Sequence, residues 1–126
     1  MILVDTDVLV WGLRGSEPAR RWLRAAREES PLSVSIVTIA EVTGGMRSAE
    51  RGRVSSLLAA LRAEPVTEVI ARRAGDYRRE WRASHASIGT ADYLIAATAD
   101  VLGAELATLN VKHFPMFTGL RAPFRP

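Results

Sequence analysis

Four polar residues that could hold a metal ion each lie beside an apolar segment: Asp5, Glu41, Asp92 and Asn110. Asp5, Glu41 and Asn110 follow short apolar runs, and Asp92 lies at the start of a longer one. In an α/β protein the loops after the strands meet at one edge of the sheet, where ligands bind. Carboxylates gathered there repel one another unless a cation or a proton lies among them. The pattern predicts a divalent-metal site, and such sites commonly perform phosphate chemistry.

The elements that must position these residues follow from the apolar spacing. Strands are predicted at residues 1–5, 32–37, 65–66 and 105–109, and helices at 7–13, 17–29, 48–63, 68–83 and 91–102. The tail after residue 110 is predicted to be irregular, with at most one edge strand. Because strands and helices alternate, we expect one α/β domain over residues 1–126 with a mainly parallel sheet covered on both faces.

Helix boundaries are indicated by capping residues. Ser16, followed by Glu17 and Pro18, predicts the start of the second helix. Thr38 with Glu41 matches a capping box and predicts another helix that ends near the glycines at 44–45. Three further residues complete this set of predictions: Thr67 and Thr90 as N-caps and Gly103 as the residue that ends the long apolar helix.

Each candidate ligand also has a purely structural interpretation, which stays open at this point. Asp5 could end a strand or cap a helix, Asp7 could cap the helix that follows, and Glu41 could be the partner of a capping box. Asp92 could pair with a helix dipole, although a rigid, partly buried carboxylate among small apolar neighbours favours a ligand role. Asn110 could be a turn residue, and for His113 a capping or packing role is the preferred interpretation.

Composition indicates a globular protein without thiol chemistry. The chain has 126 residues, 48% of them hydrophobic, and no cysteine. We expect a soluble cytoplasmic protein, because no apolar stretch is long enough to span a bilayer and the N-terminus lacks a basic leader. The net charge is +3, and 16 of the 17 basic residues are arginine, a side chain that pairs with phosphate in a bidentate way. An acidic site on a basic body is typical of a metal-dependent nuclease.

Four segments together resemble the PIN-domain ribonucleases, and among them the VapC-type toxins of toxin–antitoxin pairs. They are ILVDTDVL at residues 2–9, SIVTIAEV at 35–42, ADYLIAATA at 91–99 and TLNVKHF at 108–114. The resemblance covers essentially the whole chain. It implies a three-layer α/β/α fold, endonucleolytic cleavage of RNA, a cognate antitoxin that blocks the site, and a homodimer.

The resemblance also implies roles for individual residues. Mg²⁺ or Mn²⁺ would be held by Asp5 and Asp92, with Glu41 completing the acidic site directly or through water. Asn110 would join these three acids in the catalytic site, and the supporting residues would be Thr6, Asp7 and Thr108. Many members of the family carry an acid at the position of Asn110, and the amide found here adds no charge, which puts a second, tightly held metal in doubt.

Three other functions remain open. The Asp5-Thr6-Asp7 segment also resembles haloacid-dehalogenase-type phosphotransferases, in which Asp5 would be a nucleophile. That family needs a downstream lysine, and the chain has only Lys112. A non-catalytic PIN-like module that binds RNA or protein is the second alternative, which Asn110 keeps open. A metal-dependent DNase is the third, because only the resemblance favours RNA.

Two surfaces are hypothesised to bind partners. An apolar groove for an antitoxin helix would be lined by Trp11, Trp22, Val42, Met46 and Leu57, which could equally be ordinary core residues. Arginines of the stretches 20–27 and 72–82 would guide the RNA backbone. The competing interpretation of those arginines is a solvated helix face with local ion pairs to Asp76 and Glu80.

Overall fold

The computed structural model describes all residues, 1–126, as four strands and six α-helices in alternation. The strands are β1 (Ile2–Val4), β2 (Leu32–Ser35), β3 (Arg62–Glu64) and β4 (Glu105–Ala107). The helices are α1 (Thr6–Leu13), α2 (Glu17–Glu29), α3 (Ile36–Gly45), α4 (Arg51–Ala59), α5 (Glu68–Trp81) and α6 (Thr90–Leu102). Two 3₁₀ turns, Ser48–Glu50 and Val111–His113, complete the backbone.

The strands form one sheet in the order β3-β2-β1-β4, and every neighbouring pair is parallel. Successive residues of a strand face opposite sides of a sheet. Accordingly Leu3 belongs to a core shared with α5 and α6, whereas Val4 belongs to a second core shared with α1 to α4. The chain therefore has the three-layer α/β/α architecture expected from its sequence, with a sheet that is entirely parallel.

Several predicted boundaries are confirmed by the contacts that fix them. The Ser16 hydroxyl accepts the amide hydrogen of Ala19 at the start of α2, and the Thr67 hydroxyl accepts that of Ile70 at the start of α5. Gly103 ends α6 with φ at +64°, a left-handed conformation that favours glycine. Local capping chemistry is thus read reliably from the sequence at these three points.

The predicted boundary between β2 and α3 is wrong by two residues. The strand ends at Ser35 instead of residue 37, because the buried Ser35 hydroxyl accepts the amide hydrogen of Val37 and starts the helix there. Thr38 is therefore not a cap but a buried residue inside α3. Glu41 consequently lies in the second turn of α3 and cannot be the capping-box partner of Thr38.

The region between α3 and α5 differs most from the prediction. The expected helix over 48–63 is a 3₁₀ turn followed by the shorter α4, and the expected strand at 65–66 is β3 at Arg62–Glu64. This strand lies at the edge of the sheet with two of its three residues exposed, so no apolar run marks it. Pro65 lacks an amide hydrogen and follows the strand instead of belonging to it.

The remaining differences are small. Helix α1 begins one residue earlier than predicted and α5 ends two residues earlier. Helix α6 begins at Thr90 itself, with Gly89 as its cap residue, because the Asp92 carboxylate accepts the amide hydrogen of Gly89. Strand β4 ends at Ala107 instead of residue 109, and the tail contains a 3₁₀ turn but no edge strand. No helix combines the length and apolar composition that crossing a membrane requires.

Candidate metal centre

The candidate site lies where the strand order of the sheet reverses. β1 pairs with β2 on one side and with β4, the last strand of the chain, on the other. The crevice at the carboxyl ends of two such strands is the usual ligand site of a parallel α/β sheet. Asp5 directly follows β1 there, and Thr108 directly follows β4.

Asp5 is the most deeply buried acid of the chain, with 6% of its surface exposed. Its Oδ1 accepts the amide hydrogen of Thr6 at 2.8 Å, and its Oδ2 accepts the Thr108 hydroxyl hydrogen at 2.7 Å. The amide of Asp5 itself donates to the carbonyl of Ala107 at 2.9 Å, which continues the β1–β4 ladder. Asp5 is thus the N-cap residue of α1, and its backbone is fixed against β4.

The environment of Asp5 disfavours its charged form. Burial raises its pKa from 3.8 to about 7, and the nearby charges of Asp7 and, less strongly, Asp92 act in the same direction. The hydrogen bonds from Thr108 and Thr6 lower the pKa but do not offset burial. A carboxyl held in this way gains from a cation placed beside it, since the cation favours the ionised form.

Asp7 also faces the crevice, from the first turn of α1. It does not cap that helix. Its Oδ2 instead accepts the amide hydrogen of Leu109 at 3.1 Å, in the segment that follows β4. Burial raises the pKa of Asp7, and the backbone hydrogen bond from Leu109 partly offsets that effect. A second partly buried carboxylate therefore lies beside Asp5.

Glu41 approaches the same crevice from α3 and is exposed. The Thr6 hydroxyl donates to Glu41 Oε1 at 2.6 Å and also lies 3.1 Å from the hydroxyl oxygen of the buried Thr38. Thr6 thus connects the acid of α3 to the residue that follows Asp5. Helices α1 and α3 pack together, and the hydrogen bond from Thr6 to Glu41 joins them.

Asp92 lies in the first turn of α6, and its negative charge contributes to the raised pKa of Asp5. Its Oδ2 accepts the amide hydrogen of Gly89 at 3.4 Å and lies 3.0 Å from Nδ1 of His113. The middle of α6 is its buried part, with Ala96 and Ala97 at 0% exposure. The Asp92 side chain is 25% exposed, so the partial burial expected for this carboxylate is confirmed.

Sequence reasoning missed the position of His113. The interpretation preferred from the sequence was packing or capping, yet the ring contacts the carboxylate of Asp92. Asn110 is exposed, and its backbone amide donates to the Thr108 hydroxyl at 3.0 Å. No sequence signal could have found this contact, because it joins residues 21 positions apart in the chain.

The residues present fit a hard divalent cation. Apart from the amide oxygen of Asn110, the candidate donors are carboxylate oxygens. None of Asp5, Asp7 and Glu41 forms an ion pair with an arginine or lysine. No three His, Asp or Glu side chains stand close enough, as placed, to hold an ion by themselves. Mg²⁺ commonly binds through one or two carboxylates and keeps several waters, so such a site suits it better than a metal that needs a full protein cage.

A cleft of about 560 Å³ opens beside Glu41 between α1, α3 and α4. Val42 and Met46 line it, as the groove hypothesis expected, and Leu57 lines a neighbouring hollow. Trp11 and Trp22 line neither. Trp11 is 42% exposed, and the ring of Trp22 instead packs against Phe124 at 6.2 Å between centroids.

The arginine stretches show mixed behaviour. Arg72 pairs with Glu68, and Arg73 pairs with Asp100, so local ion pairs exist but not with the predicted partners Asp76 and Glu80. The arginines that line the cleft are Arg14, Arg20, Arg47 and Arg53. Glu41 and Glu50 also line the cleft, so its lining is partly apolar and carries more arginines than acids.

Comparison with known proteins places this geometry in a family. Residues 2–115 match the family model described as "PIN domain". The chain is 61% identical over 124 residues to ribonuclease VapC10 of Mycobacterium tuberculosis, covering 98% of this chain and 93% of that protein. It is 41% identical to ribonuclease VapC19 of the same organism over 126 residues, covering 98% of this chain and 100% of that protein.

A solved structure agrees with the sequence comparisons. The fold is similar to a chain of a toxin–antitoxin complex from Klebsiella pneumoniae, with a TM-score of 0.79, 27% identity and complete coverage of both chains. The sheet, the acidic crevice and these similarities lead to one conclusion. The chain belongs to the PIN-domain family and, within it, to the group of proteins named ribonuclease VapC.

Proposed function

We propose that this protein is the ribonuclease toxin of a toxin–antitoxin pair, and that it hydrolyses phosphodiester bonds within RNA at the crevice between β1 and β4. The observation that carries the proposal is the cluster of acids there: Asp5 and Asp7 are partly or fully buried, lack a basic partner and have raised pKa values. Buried carboxylates without a partner are costly to a fold, so a functional counter-charge explains them.

The chain's own residues would divide the work as follows. Asp5 and Asp92 would hold Mg²⁺ or Mn²⁺, with Thr108 fixing the orientation of Asp5. The bound cation supplies positive charge that stabilises the phosphate in the transition state and lowers the pKa of water. Glu41, whose Oε1 is held by Thr6, would complete the site and offer its other oxygen to a proton of the attacking water. Asp7 and Asn110 would support the outer part of the site.

Cleavage of nucleic acid by the purified protein tests this proposal. We would incubate the antitoxin-free protein with total cellular RNA, or with single-stranded DNA, in Mg²⁺, in Mn²⁺ and in chelator. The expected result is discrete RNA fragments that require a metal. Cleavage of DNA alone would support the DNase alternative. RNA binding that survives chelation, with no cleavage in either metal, would support a non-catalytic binding module.

The antitoxin would occupy the cleft beside Glu41. The cleft combines apolar residues with four arginines, so it suits an amphipathic segment that carries apolar and acidic side chains. Because Glu41 is among the residues that line the cleft, an occupant would lie against this acid and hinder access of RNA to the crevice. The homodimer of this type of toxin also remains part of the proposal.

Substitutions in the cleft test the antitoxin site. Met46→Asp and Arg53→Glu should each weaken binding of the cognate antitoxin by about tenfold or more. Met46→Asp would bury a negative charge under the antitoxin, and Arg53→Glu would remove a positive charge that pairs with its acidic side chains. Trp11→Ala is the matched control, since this exposed tryptophan does not line the cleft. Affinity that falls only in the Trp11 variant would place the antitoxin elsewhere.

A further inference from the structure

One short segment after β4 contacts every aspartate of the acidic crevice. Within residues 108–113, the Thr108 hydroxyl donates to Asp5, the Leu109 amide donates to Asp7, and the His113 ring contacts Asp92. Two of these donors are an ordinary hydroxyl and a backbone amide. The third is an imidazole, a side chain that nothing in the proposed hydrolysis requires.

We propose that His113 is a positioning residue for Asp92: its Nδ1–H donates to Asp92 Oδ2 and thereby leaves Oδ1 as the oxygen that faces a metal. This inference rests on the proposed function, because it concerns the orientation of a proposed metal ligand.

The direction of the hydrogen bond follows from the chemistry of the two groups. A carboxylate that binds a metal is ionised and can only accept hydrogen bonds, so in that form the ring nitrogen 3.0 Å from Asp92 Oδ2 carries the hydrogen. The same oxygen accepts the amide hydrogen of Gly89 at 3.4 Å. Oδ2 therefore has two donors from two different segments, whereas no hydrogen bond is made to Oδ1.

The backbone around His113 is fixed by burial and by local hydrogen bonds. The His113 amide donates to the carbonyl of Asn110 at 3.0 Å, and the Phe114 amide donates to that of Val111 at 3.1 Å. Phe114 is 1% exposed and stacks with Phe117 at 6.5 Å between ring centroids. The imidazole thus stands on a rigid turn that is anchored in the core, as an orienting side chain requires.

Such a contact restricts the rotation of the Asp92 carboxylate before a metal binds. Partners that hold a metal ligand in place typically contribute about 10–100-fold to metal affinity. His113 would do for Asp92 what Thr108 does for Asp5. One rigid segment would then set the orientation of both proposed ligands.

The test is Mn²⁺ binding without RNA, followed through the electron paramagnetic resonance signal of free Mn²⁺ in wild-type protein and in variants shown to be folded by circular dichroism. The variants are His113→Ala, His113→Asn and His113→Gln. The amide nitrogen of asparagine can take the position of Nδ1, whereas that of glutamine takes the position of Nε2. We expect the Ala and Gln variants to bind Mn²⁺ about 10–100-fold more weakly and the Asn variant to recover most of the affinity.

Three results would overturn the positioning role: wild-type affinity in His113→Ala, recovery by Gln but not by Asn, or no recovery by either. Asp92→Asn serves as the control for the proposed function. If Asp92→Asn leaves Mn²⁺ affinity unchanged, or if the wild-type protein binds no Mn²⁺, the metal site itself is wrong. If Asp92→Asn weakens binding and His113→Ala does not, only the role of His113 fails.

Discussion

At the scale of single residues, the protein keeps a carboxyl group at a position that is unfavourable for its charge. Asp5 is almost fully buried, receives hydrogen bonds on both oxygens, and still has a pKa raised to about 7. In the unfolded chain an aspartate titrates near 4. Between those two values the folded protein binds more protons than the unfolded chain, so the free energy of unfolding falls as the pH rises through this window.

Asp5→Asn should therefore stabilise the metal-free protein at high pH. The asparagine has no proton to lose, and at pH 8 in chelator we expect a free energy of unfolding higher than that of the wild type by on the order of 2–4 kcal/mol. The difference should largely vanish near pH 4. Urea unfolding of both proteins at the two pH values measures it. A variant that is no more stable than the wild type at pH 8 would contradict the burial argument.

Thr108→Val should raise the pKa of Asp5 further. The Thr108 hydroxyl donates to the ionised carboxylate and so lowers the pKa, and its removal takes that contribution away. The carboxyl carbon shift of Asp5 in an NMR titration reports the change, with Thr108→Ser as a control that keeps the hydroxyl. An unchanged or lower pKa in the valine variant would show that the hydroxyl does not favour the charged form.

What the sequence can predict at this scale depends on how local the cause is. Asp5 and Asp92 could be singled out because each lies directly beside an apolar segment that is buried in the structure. The contact between His113 and Asp92 joins residues 21 positions apart, and no periodicity reports it. The link from Thr6 to Glu41 spans 35 positions and depends on how α1 packs against α3.

At the scale of elements, capping chemistry and tertiary pairing set different boundaries. The starts of α2 and α5 could be predicted because one side chain and one amide decide them. The start of α3 was predicted wrongly at Thr38, because the Ser35 hydroxyl caps the helix three residues earlier and Thr38 is buried inside it. Strand β3 exists because β2 offers an unpaired edge, which composition does not reveal.

Two glycines in the α5–α6 layer should respond to alanine with opposite signs. Gly75 lies inside α5, where an added methyl group meets nothing within 4 Å, so Gly75→Ala should stabilise the protein by about 0.5–1 kcal/mol. Gly103 has φ at +64°, so Gly103→Ala should destabilise it by about 1 kcal/mol. Chemical denaturation measures both, and stabilisation by both substitutions would contradict the left-handed assignment of Gly103.

At the scale of the whole molecule, an acidic crevice is set into a protein whose net charge is +3. The sheet order brings β1 and β4 together from opposite ends of the chain, and the crevice forms where their carboxyl ends meet. The alternation of strands and helices was enough to predict a parallel sheet, and with it that the candidate site residues lie at the edge formed by the carboxyl ends of the strands. The identity of the central pair of strands could not be predicted, because it depends on where the last strand joins.

Metal binding should stabilise the whole fold as well as the site. A ligand that binds only the folded state adds about 2.7 kcal/mol when its concentration is a hundred times its dissociation constant. We expect Mg²⁺ or Mn²⁺ to raise the melting temperature of the wild type at pH 8 and to have little effect on Asp92→Asn. Differential scanning calorimetry distinguishes this from a general salt effect, for which both proteins would shift equally.

The most direct test of the proposed site is the single-turnover cleavage rate of an RNA that the wild-type protein cuts. Asp5→Asn and Asp92→Asn, each shown to be folded, should lose at least about a hundredfold in rate, as expected when the groups that hold a catalytic cation are removed. Asp76→Asn is the matched control, because this aspartate is exposed on α5. It should cleave at the wild-type rate. Wild-type rates in the Asp5 and Asp92 variants would contradict the assignment of the crevice as the active site.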